Sequence, residues 1–397
     1  MSEKTSANAR ARAGKRVAIL IPPDCKAHRE RIAGIFRYAM SHPHLKAIII
    51  NDHIANRRLS DFTGWKIDGL ITTPEHLAQT KLIRRISASA VVIANGRNLV
   101  PPPGCRRFGA VVCDNEGVGR CGARFFLKKN FTSFAFVGMP ETQSWADERL
   151  AGFRDALAQQ GFGCRIYRSP DGAGWKAEER TLRRFLRGLP KPCGLLAAID
   201  SRAKHVIDIC AGAGIAVPQQ ISVLGVDNDE MFCEWGRPAL SSIQPEFEMS
   251  GYLLAELLDS LMQGSPKPPV IRKYGVVGIV ERLSTLDLTG SARIVTLARE
   301  YIRRNAKAPG IRLSDIAAAA GCSTRILQRR FHEVTGRTPI DELRRRRLEH
   351  VCEMLVKTAT PIDLVGGFCG FNSNSNLKTA FKARYGMSLS AYRASIT

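Results

Sequence analysis

Short apolar runs alternate with amphipathic stretches along the first two thirds of the chain, and this alternation constrains the fold more than any other feature. In one such stretch Ile32, Ile35, Phe36 and Ala39 recur at intervals of three and four residues, as on one face of a helix. Apolar strands separated by helices indicate a parallel sheet with helices on both faces. The strand candidates are Val17–Ile21, Ala47–Ile50, Gly69–Thr73, Val91–Asn95, Ala110–Cys113, Phe134–Gly138, Cys164–Tyr167, Gly194–Ala198 and Ser222–Val226.

The number of strand candidates predicts two lobes rather than one sheet. Nine strands are more than a single compact sheet of this kind usually holds, so two α/β lobes in succession fit better. Strand-like runs stop after Val280, and from Ile294 onward the pattern is helical. We therefore expect four segments: a basic tail at 1–16, a two-lobed α/β domain at 17–283, a linker at 284–291 and an all-α domain at 292–397.

The charge of the chain favours a polyanionic partner. The formal net charge is +23 over 397 residues, and residues 291–397 carry 19 basic against 8 acidic side chains. Such a field attracts DNA, RNA and anionic membranes alike, so charge alone names no partner. No apolar run approaches the ~20 residues that span a bilayer, and Val17–Ile21 is too short for a secretory signal. We predict a cytoplasmic protein without membrane association.

The sequence carries no signature of a metal site, a cofactor site or a catalytic centre. Its eleven cysteines form no CxxC pair and show no zinc-site spacing with histidine. A phosphate-binding loop that ends in Gly-Lys-Ser/Thr, the HExxH motif and the GxSxG motif are all absent. We therefore predict a protein that is not an enzyme and uses neither metal nor cofactor.

The segment Leu313–Phe331 has the pattern of a helix-turn-helix. Gly321 permits the positive φ of a tight turn, and Ser323 suits the N-cap of a second helix. The inward positions are Ile316, Ala317, Ala320, Leu327 and Phe331. The outward side chains of the second helix can form hydrogen bonds with base edges in the major groove. Together with the capping residue, the candidate DNA contacts of this unit are Ser323, Thr324, Arg325, Gln328 and Arg329. A plain helical hairpin is the alternative for this segment alone.

About fifty residues later the pattern recurs over 361–381. Leu377 and Phe381 repeat the four-residue spacing of the first pair of anchors, which predicts a second reader on the same scaffold. Its candidate DNA contacts are Asn374, Ser375 and Lys378. Gly366 and Gly367 fall inside its first helix, where each costs ~1 kcal/mol relative to alanine. Because its recognition helix also lacks arginine at the outward positions, we expect weaker binding with less sequence discrimination.

The basic run Arg344–Arg347 lies on the helix predicted between the two readers. Four consecutive residues wrap the whole circumference of a helix, so they cannot all face DNA. Two interpretations stay open: one or two of these arginines contact phosphate while the rest are solvated, or the whole run is a solvated surface.

Residues 292–394 resemble the AraC/XylS-type DNA-binding domain, in which a long helix joins two helix-turn-helix units. The matching motifs are Gly321-x-Ser-x3-Leu-x3-Phe331, Gly336-Arg-Thr-Pro339, Cys369-Gly-Phe371, Phe381-x4-Gly-Met387 and Tyr392-Arg393. The resemblance implies sequence-specific binding of double-stranded DNA.

Polar residues follow several predicted strands, at positions where open α/β sheets bind ligands. They include Asp114-Asn115, Asp200 and Asp227-Asn228. Carboxylates at such ends accept hydrogen bonds from pairs of sugar hydroxyls. Trp145 and Arg149 follow the strand Phe134–Gly138 and can supply an aromatic face and a hydrogen-bond donor.

This half resembles the LacI/GalR-like periplasmic-binding fold, and the whole chain resembles the xylose operon regulators that place such a sensor before an AraC-type reader. The matching stretches include Arg29-x4-Gly34, Asp114-Asn-x-Gly117, Trp145-x3-Arg149-x2-Gly-Phe153, Leu224–Glu230 and Leu240–Ser242. The resemblance implies that ligand is contacted by Arg149, Asp227, Asp200, Trp145, Asp114 and Arg29. For Asp114 and Arg29, helix capping or surface pairing is the alternative.

The resemblance also implies the partners and the mode of action. A monosaccharide such as a xylose-like pentose is the expected effector, and the protein is expected to act mainly as an activator with RNA polymerase as a further partner. Genomic specificity favours a homodimer on repeated half-sites. No clear aromatic–acid pair for a pentose is visible in the first-lobe loop Pro22–His28. Two alternatives to a sugar-responsive regulator stay open, a sugar-processing α/β enzyme and a DNA-binding protein that responds to no ligand, and a ligand screen separates them.

Overall fold

A computed structural model describes residues 14–50, 67–73, 90–94, 107–141, 143–169, 172, 174–264, 270–286, 290–358 and 360–395. The chain divides into two compact units, residues 1–286 and 287–397. Most of the predicted basic tail lies outside the described residues, as do residues 287–289 of the predicted linker. Among the helices of the described part, none is long and apolar enough to cross a membrane.

The first lobe is built on a parallel sheet whose central strands are almost entirely apolar. Its elements are β1 (Lys15–Leu20), β2 (Leu45–Ile49), β3 (Gly69–Thr72), β4 (Ala90–Ala94), β5 (Arg107–Cys113), β11 (Val270–Tyr274), α1 (Lys26–Ser41) and α7 (Phe247–Met262). The six strands are ordered β11-β5-β4-β3-β1-β2. Every residue of β3 and β4 is buried, which fits a sheet covered on both faces.

The second lobe contains another six-stranded sheet. Its elements are β6 (Phe134–Val137), β7 (Arg165–Tyr167), β8 (Cys193–Ala197), β9 (Ile221–Val226), β10 (Ser241–Pro245), β12 (Val276–Val280), α2 (Asn115–Lys128), α3 (Ser144–Ala158), α4 (Trp175–Arg187), α5 (Asp200–Ala213) and α6 (Glu230–Cys233). The strand order is β12-β10-β9-β8-β6-β7, and only the pairing of β12 with β10 is antiparallel. Ser284 and Thr285, at the start of the predicted linker, are buried here, and the Ser284 hydroxyl donates to the Val223 carbonyl at 2.6 Å.

The two lobes are interleaved, so the expectation that one follows the other was wrong. The chain passes between them at Asp114, Glu246 and Gly275. The crossings are bonded to one another: Asp114 N–H donates to the Tyr274 carbonyl at 2.9 Å, and Glu246 N–H donates to the Gly275 carbonyl at 3.1 Å. These crossings set three strand ends side by side at the boundary between the lobes.

Each lobe also contributes a closely packed helix pair beside this boundary. A Cβ at Gly34 of α1 would lie 1.9 Å from the Glu248 carbonyl oxygen of α7, and a Cβ at Gly152 of α3 would lie 2.0 Å from the Glu116 carbonyl oxygen of α2. Only glycine permits such an approach of two helix backbones. The two pairs hold the first turns of their helices against the boundary between the lobes.

The second unit is helical throughout its described part. Its helices are α8 (Gly290–Asn305), α9 (Leu313–Ala319), α10 (Thr324–Thr335), α11 (Pro339–Lys357), α12 (Ile362–Phe368), α13 (Asn374–Tyr385) and α14 (Leu389–Ala394). One core surrounds Leu327 and Phe331, and the other surrounds Leu377 and Phe381. Residues of α11 belong to both cores, so this helix joins two similar helix-turn-helix halves.

Candidate functional site

A cavity of about 180 Å³ lies between the two lobes, at the carboxyl ends of their strands. It is smaller than the ~300–1,000 Å³ typical of pockets for drug-sized molecules, so it suits a smaller ligand. The first lobe contributes Ala27, His28, Arg31, Val112, Cys113, Phe247 and Tyr274, and the second contributes Asn115, Ser144, Trp145, Arg149, Ile199 and Asp227.

Arg149 is held in this cavity by three polar partners. Its Nε donates to Asn115 Oδ1 at 3.1 Å, Nη1 donates to the Ala198 carbonyl at 2.6 Å, and Nη2 lies 3.5 Å from Asp227 Oδ1. The guanidinium also lies 4.8 Å from the centre of the Trp145 ring. The side chain is only 7% exposed, so its position is fixed before any ligand arrives.

Arg31 of the first lobe occupies a position that mirrors Arg149. Its Nε donates to Ser250 Oγ at 3.3 Å and its Nη2 to Tyr274 Oη at 2.8 Å. The guanidinium lies 5.1 Å from the centre of the Phe247 ring. Burial raises the pKa of Tyr274 to about 12, so this hydroxyl remains protonated near neutral pH. Each lobe therefore presents one buried arginine beside an aromatic ring.

Asp227 brings a carboxylate into the cavity from the turn after β9. The turn is strained, since φ is 104° at Asp227 and 51° at Asn228, in the region that non-glycine residues rarely adopt. Asn228 N–H donates to Ser242 Oγ at 2.9 Å, which helps to hold this conformation. Burial raises the pKa of Asp227, while the positive charges of Arg149 and Arg31 act in the opposite direction.

The cavity combines the groups that a polyhydroxylated ring requires. The Asp227 carboxylate can accept hydrogen bonds, the Arg31 and Arg149 guanidinium groups can donate them, and Trp145 and Phe247 offer ring faces from opposite lobes. The structure thus brings together three of the predicted ligand-binding residues, since Arg149, Asp227 and Trp145 all line this cavity.

Asp200 lies beneath the cavity rather than in its wall. It is 1% exposed, and its carboxylate accepts hydrogen bonds from Ser242 Oγ at 2.5 Å and from Asp229 N–H at 2.8 Å. Burial, followed by the neighbouring charge of Asp227, raises the pKa of Asp200 to about 8. Since its bonds reach the turn that carries Asp227, the structure assigns it a supporting position instead of a ligand contact.

Asp114 and Arg29 do not line the cavity, and the alternative stated for them fits the structure. Asp114 is the N-cap of α2, where Oδ1 accepts from Gly117 N–H at 3.0 Å and Oδ2 accepts from Arg120 Nη2 at 3.1 Å. Arg29 is exposed, and its Nη1 donates to the Pro23 carbonyl at 3.4 Å. Arg29 lies two positions before Arg31 on α1, so its side chain leaves a different face of the helix.

Sequence reasoning missed Arg31, Phe247 and Tyr274 as residues of the cavity. A signal for Arg31 exists, since the Arg-x-x-Gly spacing of Arg149 and Gly152 also occurs at Arg31 and Gly34. Both glycines sit at the close helix contacts described above, and the arginine three residues earlier points into the cavity in each case. Tyr274 had no comparable signal because its strand pairs with β5, more than 150 residues earlier.

The first helix-turn-helix has the expected construction. Gly321 has φ of 67°, the Ser323 hydroxyl caps α10 by accepting from Ile326 N–H at 3.4 Å, and both anchors are fully buried. The four side chains expected to face outward are exposed: Thr324, Arg325, Gln328 and Arg329. Arg329 is 62% exposed and lies 3.9 Å from Glu333, a weak pairing in water.

The second helix-turn-helix repeats this construction with one difference. Ser373 caps α13 and accepts from Asn376 N–H at 3.2 Å, and Ser375 and Lys378 are exposed. Asn374, expected to face DNA, turns inward, and its Nδ2 donates to the Asp363 carbonyl at 2.7 Å. The side chain thus fastens α13 to α12, which reduces the polar outward surface of this unit further than the sequence indicated.

The basic run on α11 is mostly engaged within its own unit. Arg345 donates to Glu342 and Glu349, while Arg347 donates to the Ala306 and Ala308 carbonyls at 2.8 Å each. Arg346 lies 3.2 Å from Glu349, and Arg344 lies 3.6 Å from Asp341. Arg344 is 57% exposed, and the other three arginines of the run are less exposed.

Comparisons with known proteins agree with both halves of this description. Residues 123–285 match the family of periplasmic binding protein-like domains, and residues 316–395 match a helix-turn-helix domain. The chain is 26% identical to the xylose operon regulatory protein of Escherichia coli (strain K12) over 95% of this chain and 96% of that protein. It is 22% identical to the protein of the same name from Haemophilus influenzae over 95% and 98%.

A solved structure described as a xylose-binding transcription activator is similar to almost the whole chain. The TM-score is 0.58 at 26% identity, covering 96% of this chain and 97% of that one. The predicted fold class, two α/β lobes followed by helical DNA-binding units, is confirmed. These relatives are regulators, in agreement with the prediction of a regulator rather than an enzyme.

Proposed function

Because the chain is a homologue of the xylose operon regulatory proteins along nearly its whole length, we propose that it is a transcription regulator that binds a monosaccharide between its lobes and operator DNA through its helical unit. The observation that carries the proposal is the cavity in which Arg31, Arg149 and Asp227 converge between the lobes. The chain thus combines a small polar cavity with two helix-turn-helix halves.

We propose an aldopentose such as xylose as the effector. The names of the relatives support this choice, since one is described as xylose-binding and others as regulators of a xylose operon. The size of the cavity supports it independently, because about 180 Å³ suits a monosaccharide better than a larger ligand. Asp227 accepts from ring hydroxyls in this proposal, and the two arginines donate to the ring and hydroxyl oxygens.

Calorimetry over a panel of pentoses and hexoses tests both the class of effector and the site. Wild-type protein is expected to bind one pentose most tightly without converting it. Asp227→Ala is expected to bind it at least about a hundredfold more weakly, because the partner groups lose a buried acceptor. Asp208→Ala is the matched control, since this aspartate pairs with Lys204 on the exposed side of α5. No heat with any sugar, or full affinity in Asp227→Ala, contradicts the proposal.

On the DNA side, we propose that Arg325, Gln328 and Arg329 read base edges in the major groove, because they are exposed on one helix that begins at a well-formed cap. The second unit, through Ser375 and Lys378, is proposed to add affinity with less discrimination. The full-length protein should select a shared sequence from random DNA, and that sequence should outcompete random DNA at physiological salt. Equal affinity for both pools contradicts sequence-specific reading.

The coupling of effector to DNA is proposed to run through a homodimer and to produce activation. A sensor shifts a DNA-binding equilibrium only by the difference in effector affinity between its two states, and lobe closure is such a difference. The basic charge of residues 291–397 opposes self-association there, so the α/β unit is the proposed dimer interface. RNA polymerase is the further partner that activation requires. Light scattering on a two-site operator, with and without sugar, tests the stoichiometry, and one chain per operator contradicts the dimer.

A further inference from the structure

Lys26 joins the two lobes through a buried ammonium group. It is the first residue of α1 in the first lobe, and its side chain is only 8% exposed. Nζ donates to the Asn228 carbonyl at 2.6 Å and to Glu230 Oε1 at 2.6 Å, and both of these residues belong to the second lobe. Glu30 of the same helix lies 3.7 Å away. Burying an ammonium group is costly unless such partners surround it.

The carbonyl that Lys26 binds belongs to the strained turn that carries Asp227. The remaining polar groups of Asn228 are bonded within the second lobe: Nδ2 donates to Gln244 Oε1 at 3.0 Å, and Oδ1 accepts from Arg282 Nη2 at 2.8 Å. Lys26 therefore adds a contact from the opposite lobe to a turn that is otherwise held from within its own lobe.

The two acceptors of Lys26 contribute differently. Glu230 is 55% exposed, so solvent screens its attraction for the ammonium group. The Asn228 carbonyl contact is buried and can form only when the lobes are close. Opening the lobes removes this bond from the turn and exposes Lys26 to water at the same time. The bond thus links the separation of the lobes to the backbone that positions the Asp227 carboxylate.

From this geometry we infer that Lys26 is a positioning residue of the effector cleft, which holds the Asp227–Asn228 turn in its ligand-binding conformation when the lobes close. The inference rests on the proposed function of the cleft. Lys26 does not line the cavity, and it acts on the effector through the turn. Its removal should therefore weaken effector binding although no effector contact is lost.

The test compares Lys26→Met with Lys15→Met in the full chain. Methionine keeps most of the aliphatic length of lysine and removes the charge. Lys15 is a matched control because it also lies near a carboxylate, 3.8 Å from Asp259, but within the first lobe. Calorimetry with D-xylose is expected to show at least a tenfold loss of affinity for Lys26→Met, near-normal affinity for Lys15→Met and recovery in Lys26→Arg.

Hydrogen exchange of the ligand-free proteins supplies a readout that does not depend on any sugar, because the lobes already lie close enough for Lys26 to bond to the Asn228 carbonyl before a sugar binds. In Lys26→Met the amides of residues 227–230 should exchange at least several-fold faster, while those of β8 remain as protected as in the wild type. Unchanged protection of the turn overturns the inference, as does unchanged xylose affinity in a protein whose wild type binds xylose. Faster exchange throughout the chain also overturns it, because that result shows general destabilisation. If wild-type protein binds no sugar, the proposed function fails while the exchange comparison still decides the role of Lys26.

Discussion

The effector cleft and the DNA-reading helix both present arginine, but in opposite physical settings. Arg149 is 7% exposed and bonded to side-chain and backbone acceptors on three segments, whereas Arg329 is 62% exposed with one distant carboxylate. A buried group with several hydrogen-bond partners loses much when any partner is removed, while an exposed group contributes nearly independently. A single substitution in the cleft should therefore abolish effector binding, whereas a single substitution on the recognition helix should only weaken DNA binding.

The largest expected effect is that of Arg149→Ala on effector binding. The change leaves Asn115 Oδ1, the Ala198 carbonyl and Asp227 without a donor in a buried site, which typically costs about 2–5 kcal/mol. Calorimetry should show a loss of roughly a hundredfold or more, whereas Arg29→Ala, which changes an exposed arginine of α1, should bind normally. Similar affinities for the two variants would remove the contrast between buried and exposed arginine.

A second prediction concerns the buried carboxylate beneath the cleft. The pKa of Asp200 is raised to about 8 in the folded protein from 3.8, so its contribution to stability is complete below about pH 4 and is lost as pH rises through about 8. The slope is at most about 1.4 kcal/mol per pH unit. Asp200→Asn keeps the shape of the side chain and removes its titration. The wild type should therefore lose stability relative to Asp200→Asn as the pH rises from 5 to 8, as measured by the difference between their free energies of unfolding. Parallel stability curves would show that Asp200 is ionised throughout.

On the exposed side, Arg329→Ala should cost about 1–3 kcal/mol in operator affinity and relax the preference at one base position. Lys378→Ala in the second unit should weaken binding to all sequences alike, and by less. Selection from random DNA, carried out with each variant at fixed salt, distinguishes the two patterns. If Arg329→Ala instead weakens binding to all sequences equally, Arg329 contacts phosphate rather than a base.

The smallest expected effects come from the adjacent glycines of α12. Gly367 is exposed and a Cβ there would meet nothing within 4 Å, so Gly367→Ala should raise the free energy of unfolding by ~1 kcal/mol. A Cβ at Gly366 would lie 2.7 Å from Asn374 Oδ1, which disturbs the bond between α13 and α12. Denaturant unfolding of the full chain should show that Gly367→Ala is more stable than the wild type. It should also show that Gly366→Ala is less stable than Gly367→Ala. Equal stabilisation by both changes would show that Asn374 does not depend on Gly366.

Much of the architecture could be predicted because it depends on local patterns. Each of the nine predicted strands occurs within a few residues of its expected bounds, and the anchors of both helix-turn-helix units are buried as expected. The strands β10, β11 and β12 were missed. β10 includes Ser241 and Ser242, which are buried because their hydroxyls are bonded, while β11 carries Arg272 and Lys273 at the edge of a sheet. Neither composition resembles an apolar strand.

The site was predictable only where a motif lay beside it. Arg149, Trp145 and Asp227 follow predicted strands, and all three line the cavity. Tyr274 and Phe247 reach the same cavity because the chain returns to the first lobe, and such distant pairing leaves no local signature. Asn374 was predicted to face DNA because the repeat pattern gives it an outward position. The pattern does not reveal that its side-chain amide bonds to α12 instead.

The most direct measurement is the affinity of full-length protein for its selected operator, with and without the sugar identified by calorimetry, in wild type and Asp227→Ala. A sensor coupled to a DNA reader should shift operator affinity by about 5–150-fold when the sugar is added to wild type. The same sugar should leave the affinity of Asp227→Ala unchanged, because the variant no longer binds it. Operator affinity in wild type that does not respond to a sugar bound in the cleft would contradict a sugar-responsive regulator.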